Sequence, residues 1–363
     1  MCLTFFYSIL NTKVKKTLKS LILFSLTIFF LYLAFRGNDF NELFLVLKNA
    51  NYLYAVLGAF VGIVLGGYMR ALRWRYFLNP LKKDIRTEIL FSSIMVGYMM
   101  NSIIPRAGEV YRPVLLANKE KISRTSAFGT IVAERVFDVL SMLTSFGICM
   151  IYFNQKLSSA FAEYNLETIS LYSAIITLIF VLLIILVIFN LEKSEIIIEK
   201  LTKKILPERF HQKVHNFFIS LINGFLFIRY PKYYFQIFVL SVLIWMCYIM
   251  STYLTFFAFN INLSIFDANL VLTMVTFAMT IPLPANSAGI YHLFCTATLV
   301  NVFGIDKESA FGFATVSHLL GLLGLILIGT FYFVKENLNI KKAAGIKDPE
   351  AAAEKKAKTF SRS

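Results

Sequence analysis

The residues of this chain that could do chemistry are few, and most lie in its first half. Glu134, Arg135 and Asp138 sit within an apolar stretch, about ten residues from its start. On a helix Glu134 and Asp138 share a face at i, i+4, and Arg135 reaches Asp138 at i, i+3. A charge at mid-bilayer costs about 2.5–3.5 kcal/mol when unpaired. Such a set either pairs with itself to hold a bundle together or lines a polar cavity. A second set, Arg106, Glu109 and Arg112, recurs every three residues around Pro105 and Gly108, with Asn101 ahead of it and Tyr111 inside it. Arginine offers a planar fork that suits phosphate, and a half-helix N-terminus adds backbone donors and a positive dipole end. A third set, Arg70, Arg73 and Arg75 around Trp74, closes an apolar run. It reads either as a phosphate contact or as interfacial anchoring with snorkelling stems.

The second half is nearly uncharged where the first is rich. Its polar candidates are Asn286, Ser287, His292 and His318, gathered around a stretch broken at Pro282, Pro284 and Gly289. Metal chemistry is not expected. Cys2, Cys149, Cys247 and Cys295 are scattered, and His211 and His215 have i, i+4 spacing without the intervening Glu of a zinc hydrolase helix. No cofactor motif is present, and no phosphate-binding P-loop.

The elements that must position these residues follow from composition. Of 363 residues, 58% are hydrophobic and 16% charged, against about 25% charged in a typical soluble domain. A soluble globule could not hide so much apolar surface, so an all-α polytopic membrane protein is expected. Six stretches approach the roughly 20 residues a spanning helix needs: 18–35, 52–72, 125–152, 168–190, 233–258 and 308–334. Two more, 89–104 with 110–118 and 268–303, are interrupted by proline and glycine. Backbone freed in this way is tolerated in a bilayer only where protein or a wet cavity covers it. Each therefore reads as a re-entrant helical hairpin.

The net charge of +15 then has a simple place. With a cytoplasmic N-terminus, six spans and two hairpins, 31 Lys/Arg fall inside and four outside, a strong positive-inside bias. This predicts an inner (cytoplasmic) membrane protein with both termini cytoplasmic, and nucleic acid is not needed to explain the basic excess. Residues 1–17 form the inner N-terminus, 18–335 a single transmembrane domain and 336–363 a basic tail.

Ser-Ala-Phe-Gly occurs twice, at 126–129 and 309–312, and each copy follows a Pro/Gly break with an aromatic on the returning arm, Tyr111 or Tyr291. Repeat halves at about 52–152 and 233–334 are expected, with opposite topology because the hairpins enter from opposite sides. Inverted repeats with broken helices near the midplane are an arrangement of secondary transporters.

Gly66–Arg75, Asn101–Arg112 and Gly129–Asp138 together resemble the flippase-like transmembrane region of the lysylphosphatidylglycerol synthase, or multiple peptide resistance factor, family. The resemblance runs from about residue 15 to 335. It departs at Pro284–Gly289, where the family's Gly-rich break ending in an acid is replaced and His292 stands in the acid's place. The resemblance implies movement of polar lipids between leaflets, without the soluble aminoacyl-transferase domain of the two-domain synthases. The expected substrate is a membrane lipid with an anionic or otherwise polar headgroup, bound between the hairpins. A membrane-embedded transferase or hydrolase, or an accessory subunit of a lipid or glycan synthase, is the alternative. Self-association or a synthase partner is left open.

Overall fold

The computed structural model describes residues 24–153 and 223–335, with isolated positions at 22, 156, 175, 178, 179, 182, 214 and 218. The expected span 168–190, His211, His215, Cys2 and the basic tail lie wholly or mostly outside the described residues. Among those described, every regular element is helical. In chain order the longer ones are α1 (Phe24–Phe35), α2 (Phe40–Asn49), α3 (Tyr52–Leu78), α4 (Thr87–Ile103), α5 (Ala107–Glu120), α6 (Arg124–Tyr152), α7 (Tyr234–Ala258), α8 (Ile265–Ala278), α9 (Ile290–Phe303) and α10 (Lys307–Lys335).

Four helices are long and apolar enough to cross a bilayer: α3, α6, α10, and α7 together with its preceding turn from Pro231. At 27–29 residues each they reach about 40 Å, against a hydrocarbon layer of about 30 Å. Their flanks carry large apolar side chains turned outward, such as Ile151, Phe235, Leu327 and Val334. A folded chain leaves such surfaces exposed where lipid is its solvent. The protein is therefore an integral membrane protein of helical type. α2 was not among the expected elements. It is short, and Asp39 caps it by accepting from the amides of Asn41 and Glu42.

The two expected breaks are present as backbone events. α4 stops at Ile103 and α5 starts at Ala107, with Arg106 between them in the left-handed region at φ 63°. α8 stops at Ala278. The chain then passes through Ala285, Asn286 and Ser287 at φ 51°, 55° and 61° and Gly289 at φ 86° before α9 begins. Pro113 falls inside α5 rather than ending it. α5 and α9 both have 14 residues, and α6 and α10 both have 29. In each pair the second member begins 183 residues after the first, the same offset that separates the two Ser-Ala-Phe-Gly copies.

The chain divides into two compact units. The first takes residues up to Phe60, Asn101–Arg106 and Ile249–Gly324; the second takes Val61–Met100, Ala107–Tyr248 and the chain from Leu325. In the second unit, Trp74, Phe77, Leu78, Leu90, Ile94, Met95 and Leu116 are fully buried in one apolar core. Phe227, from the turn before α7, stacks on Phe77 with centroids 4.5 Å apart. A Cβ on Gly224 would overlap the backbone of Gly129, so the first Ser-Ala-Phe-Gly copy is a close-packing surface. In the first unit, Ala34, Leu43 and Phe311 form one small core, and Ala278, Leu283 and Ile290 another. There the glycine of the second copy, Gly312, faces Phe259 and Val46 at distances that leave little room for a side chain.

A buried arginine–carboxylate network

The second unit holds six charged side chains in one connected set, supplied by three helices. α6 contributes Glu134 and Asp138, which the i, i+4 spacing places on one face with Arg135 beside them. α3 contributes Arg70 and Arg73, one turn apart, and α5 contributes Arg112. A single π-helical turn at Val61–Leu65 interrupts α3 just before its arginines; such bulges often mark functional sites.

Glu134 is completely buried and receives four guanidinium contacts. Arg112 grips both of its oxygens, Nη1 to Oε1 at 3.1 Å and Nη2 to Oε2 at 2.9 Å. Arg70 Nη1 donates to Oε1 at 2.5 Å, and Arg135 Nη2 donates to the same oxygen at 3.1 Å. Asp138 accepts from Arg73 Nη2 at 2.6 Å and Arg70 Nη1 at 2.7 Å, with Arg135 Nη2 at 3.2 Å. The outer hydrogen bonds fix the arginines in turn. Arg70 Nη2 donates to Tyr248 Oη at 3.2 Å, and Arg73 Nη1 donates to Ser241 Oγ at 3.0 Å. Arg112 also stacks on Trp74, its guanidinium carbon 3.8 Å from the ring centroid, a cation–π contact worth about 2 kcal/mol when desolvated. The Trp74 indole is held by Nε1 donating to Thr130 Oγ1 at 2.9 Å.

The two acids do not face solvent as an acid/base pair; both are taken up by arginines. Nor is the set self-satisfied along one helix, since three of its four cations come from α3 and α5. Arg70 and Arg73, read from sequence as either phosphate contacts or anchors at the membrane interface, are almost fully buried. The physical reason is that α3 continues straight to Leu78, which seats their side chains opposite the α6 carboxylates. Arg75, on the other side of α3, is exposed, with Thr87 Oγ1 at 3.5 Å. Arg106 is exposed, and neither it nor Glu109 forms an ion pair among the described residues. Of the three residues spaced around the first break, only Arg112 joins the network. Tyr111 is half-buried on α5, and its hydroxyl has no partner among the described residues. Asn101 is half-buried near the end of α4.

The first unit gathers the second-half candidates. His292 and His318 lie with ring centroids 5.0 Å apart, both buried, and each holds the left-handed turn. The Gly289 amide donates to His292 Nδ1 at 3.3 Å, and His318 Nε2 is 3.2 Å from the carbonyl oxygen of Asn286. Ser287 Oγ donates to the Ile281 carbonyl at 3.0 Å. Tyr291 Oη and Ser317 Oγ meet at 3.0 Å. At the shared offset of 183, Ser317 and His318 stand where Glu134 and Arg135 stand, and His292 stands where Glu109 does. The second cluster thus has no carboxylate or arginine at the positions where the first half has Glu109, Glu134 and Arg135. No set of His, Cys, Asp and Glu suited to a metal ion occurs among the described residues.

Trp74, Thr130, Ser241 and Tyr248 complete the first site, and sequence reasoning gave none of them a role in it. Trp74 was legible in principle, because it shares a helix face with Arg70. Ser241 and Tyr248 sit in an unbroken apolar run, and nothing in their spacing points to a partner.

Residues 18–329 match the family described as the lysylphosphatidylglycerol synthase TM region. Two UPF0104 membrane proteins of Methanocaldococcus jannaschii are similar. One is 30% identical over 134 residues, covering 36% of this chain and 39% of that protein. The other is 25% identical over 245 residues, covering 66% and 95%. A UPF0104 membrane protein of Methanothermobacter thermautotrophicus is 28% identical over 116 residues, covering 30% of this chain and 34% of that protein. The chain thus spans less than two fifths of the first and third of these relatives. No solved structure matches it.

Proposed function

Because the chain belongs to the lysylphosphatidylglycerol synthase transmembrane-region family, we propose that it moves a polar, phosphate-bearing lipid between the leaflets of the cytoplasmic membrane. The observation that carries this reading is the depth of the network. Glu134 is the eleventh residue of the 29-residue α6, about 15 Å from its start and so near mid-bilayer in a crossing helix. Six ionised groups there are an expensive feature, and in membrane proteins such groups mark substrate pathways. The headgroup would enter against Arg135, whose side chain is 42% exposed, while Arg70, Arg73 and Arg112 supply the surrounding field.

The broken helices support the transporter reading. α5, α8 and α9 have 14 residues each, about 21 Å of helix, too short to cross alone. Re-entrant hairpins at 89–118 and 268–303 account for that length. The common 183-residue offset supports an internal duplication, which the charge bias makes inverted, with both termini in the cytoplasm. A transporter is preferred to an enzyme because both carboxylates of the network are committed to arginines, leaving neither free to act as acid or base.

The test is reconstitution into liposomes holding acyl-labelled lipids, with an impermeant quencher to read leaflet exchange and mass spectrometry to read lipid chemistry. Exchange that depends on the protein, with lipid masses unchanged, is expected. Altered lipid masses would replace the transporter with an enzyme. Full-rate exchange by an Arg112→Gln, Glu134→Gln variant would remove the network from the function.

A further inference from the structure

The network is not neutral. Four arginines, Arg70, Arg73, Arg112 and Arg135, meet two carboxylates, Glu134 and Asp138, leaving an excess of two positive charges. A buried charge is tolerated when it is paired and hydrogen-bonded, and this excess has no counter-charge among the described residues that pair with it. The hydrogen-bond inventory points the same way. The Nε–H groups of all four arginines are buried with no partner among the described residues, and within the network Arg135 bonds through Nη2. The acceptors, by contrast, are largely taken up. A carboxylate has about four lone-pair sites; Glu134 receives four guanidinium contacts and Asp138 three.

We infer that the site selects a doubly anionic lipid headgroup, a phosphate monoester carrying about −1.5 to −2 charges near neutral pH, over zwitterionic and aminoacylated ones. The inference rests on the lipid-translocation reading and gives its substrate a charge class. A phosphate monoester supplies the missing counter-charge and the oxygen acceptors the guanidinium donors lack. An ammonium group on an aminoacylated headgroup would have to compete with arginines for the carboxylates, since seven guanidinium contacts already fall on Glu134 and Asp138. It would also add positive charge to a site already in excess.

Trp74 supplies the readout. The chain has two tryptophans, so a Trp245→Phe background, first matched to the parent in exchange rate, leaves the indole beneath Arg112 as sole reporter. Nanodiscs of phosphatidylcholine containing phosphatidic acid are expected to change Trp74 emission saturably, with affinity at least about tenfold tighter than for lysylated phosphatidylglycerol. In this background Arg135→Gln should weaken phosphatidic acid binding by at least about tenfold and Arg135→Lys should restore part of it; equal binding by the Gln variant would overturn the assignment. Equal or tighter binding of the lysylated lipid would overturn the inference. So would inorganic phosphate, added alone at millimolar concentration, displacing phosphatidic acid at equal affinity, since the site would then serve a soluble anion. Leaflet exchange, measured separately, keeps the two readings apart. Tight phosphatidic acid binding without exchange would refute translocation and leave the charge selectivity standing; exchange that favours the lysylated lipid would do the reverse.

Discussion

Glu134→Gln is the most informative single change, because one side chain holds three arginines. The substitution keeps the volume and removes the charge. Arg70, Arg112 and Arg135 would then face an amide that can accept at one oxygen and turns two donors toward cations. Breaking a buried pair by removing one partner costs about 3–5 kcal/mol, and with Glu134 fully buried the upper part of that range applies. The exposed pair Lys82–Glu120, 2.6 Å apart with the lysine side chain 41% exposed, provides the contrast. Lys82→Gln should cost no more than about 1 kcal/mol. The assay is equilibrium unfolding in mixed micelles with increasing dodecyl sulfate, followed by helical circular dichroism. A second change on the Glu134→Gln background separates charge from packing. Arg112→Met removes one of the stranded cations, so the double variant should recover at least about 1 kcal/mol relative to additivity. A Glu134→Gln cost below about 1 kcal/mol, or strict additivity with Arg112→Met, would refute the network as drawn.

Three further outcomes follow from the geometry. Trp74→Phe should cost about 1 kcal/mol, the net value of its hydrogen bond to Thr130, whereas Trp74→Ala should cost about 3–5 kcal/mol by opening a cavity in a filled core; the same unfolding assay reads both. Gly289→Ala should destabilise, since φ is 86° and the added Cβ would meet the Thr27 carbonyl oxygen and the Leu31 amide at 2.8 Å, while Asn286→Gly, at φ 55°, should change stability by less than about 1 kcal/mol, because relief of the left-handed backbone is offset by glycine's greater unfolded-state entropy; that assay also reads this pair. A cysteine placed at Lys119 should react with an impermeant maleimide from the cytoplasmic side only; labelling from outside alone would overturn the re-entrant reading of 89–118.

How much of this was legible in the sequence differs by scale. The two breaks could be read directly. Proline and glycine at 105–108 and 282–289 act on the backbone wherever they stand, and the helices stop within a few residues of them. Glu134 and Asp138 could be read as a pair, because helical spacing alone puts them on one face. Their partners could not. Arg70 and Arg73 carry the same signature as anchors at a membrane surface, since snorkelling and burial ask for the same residue type near the end of an apolar run.

The chain by itself determined the solvent, the helical class and the places where helices break, because each follows from local composition and backbone chemistry. Tertiary structure decided which charges are paired and which remain in excess. Packing α3 and α5 against α6 brings Arg70, Arg73 and Arg112 to carboxylates 22–68 positions away, and separates Arg106 and Glu109 from a network that their spacing around the first break had suggested they join. Pairing over such distances depends on which helix faces meet. That is a property of the packed fold and leaves no trace in the spacing of residues along the chain.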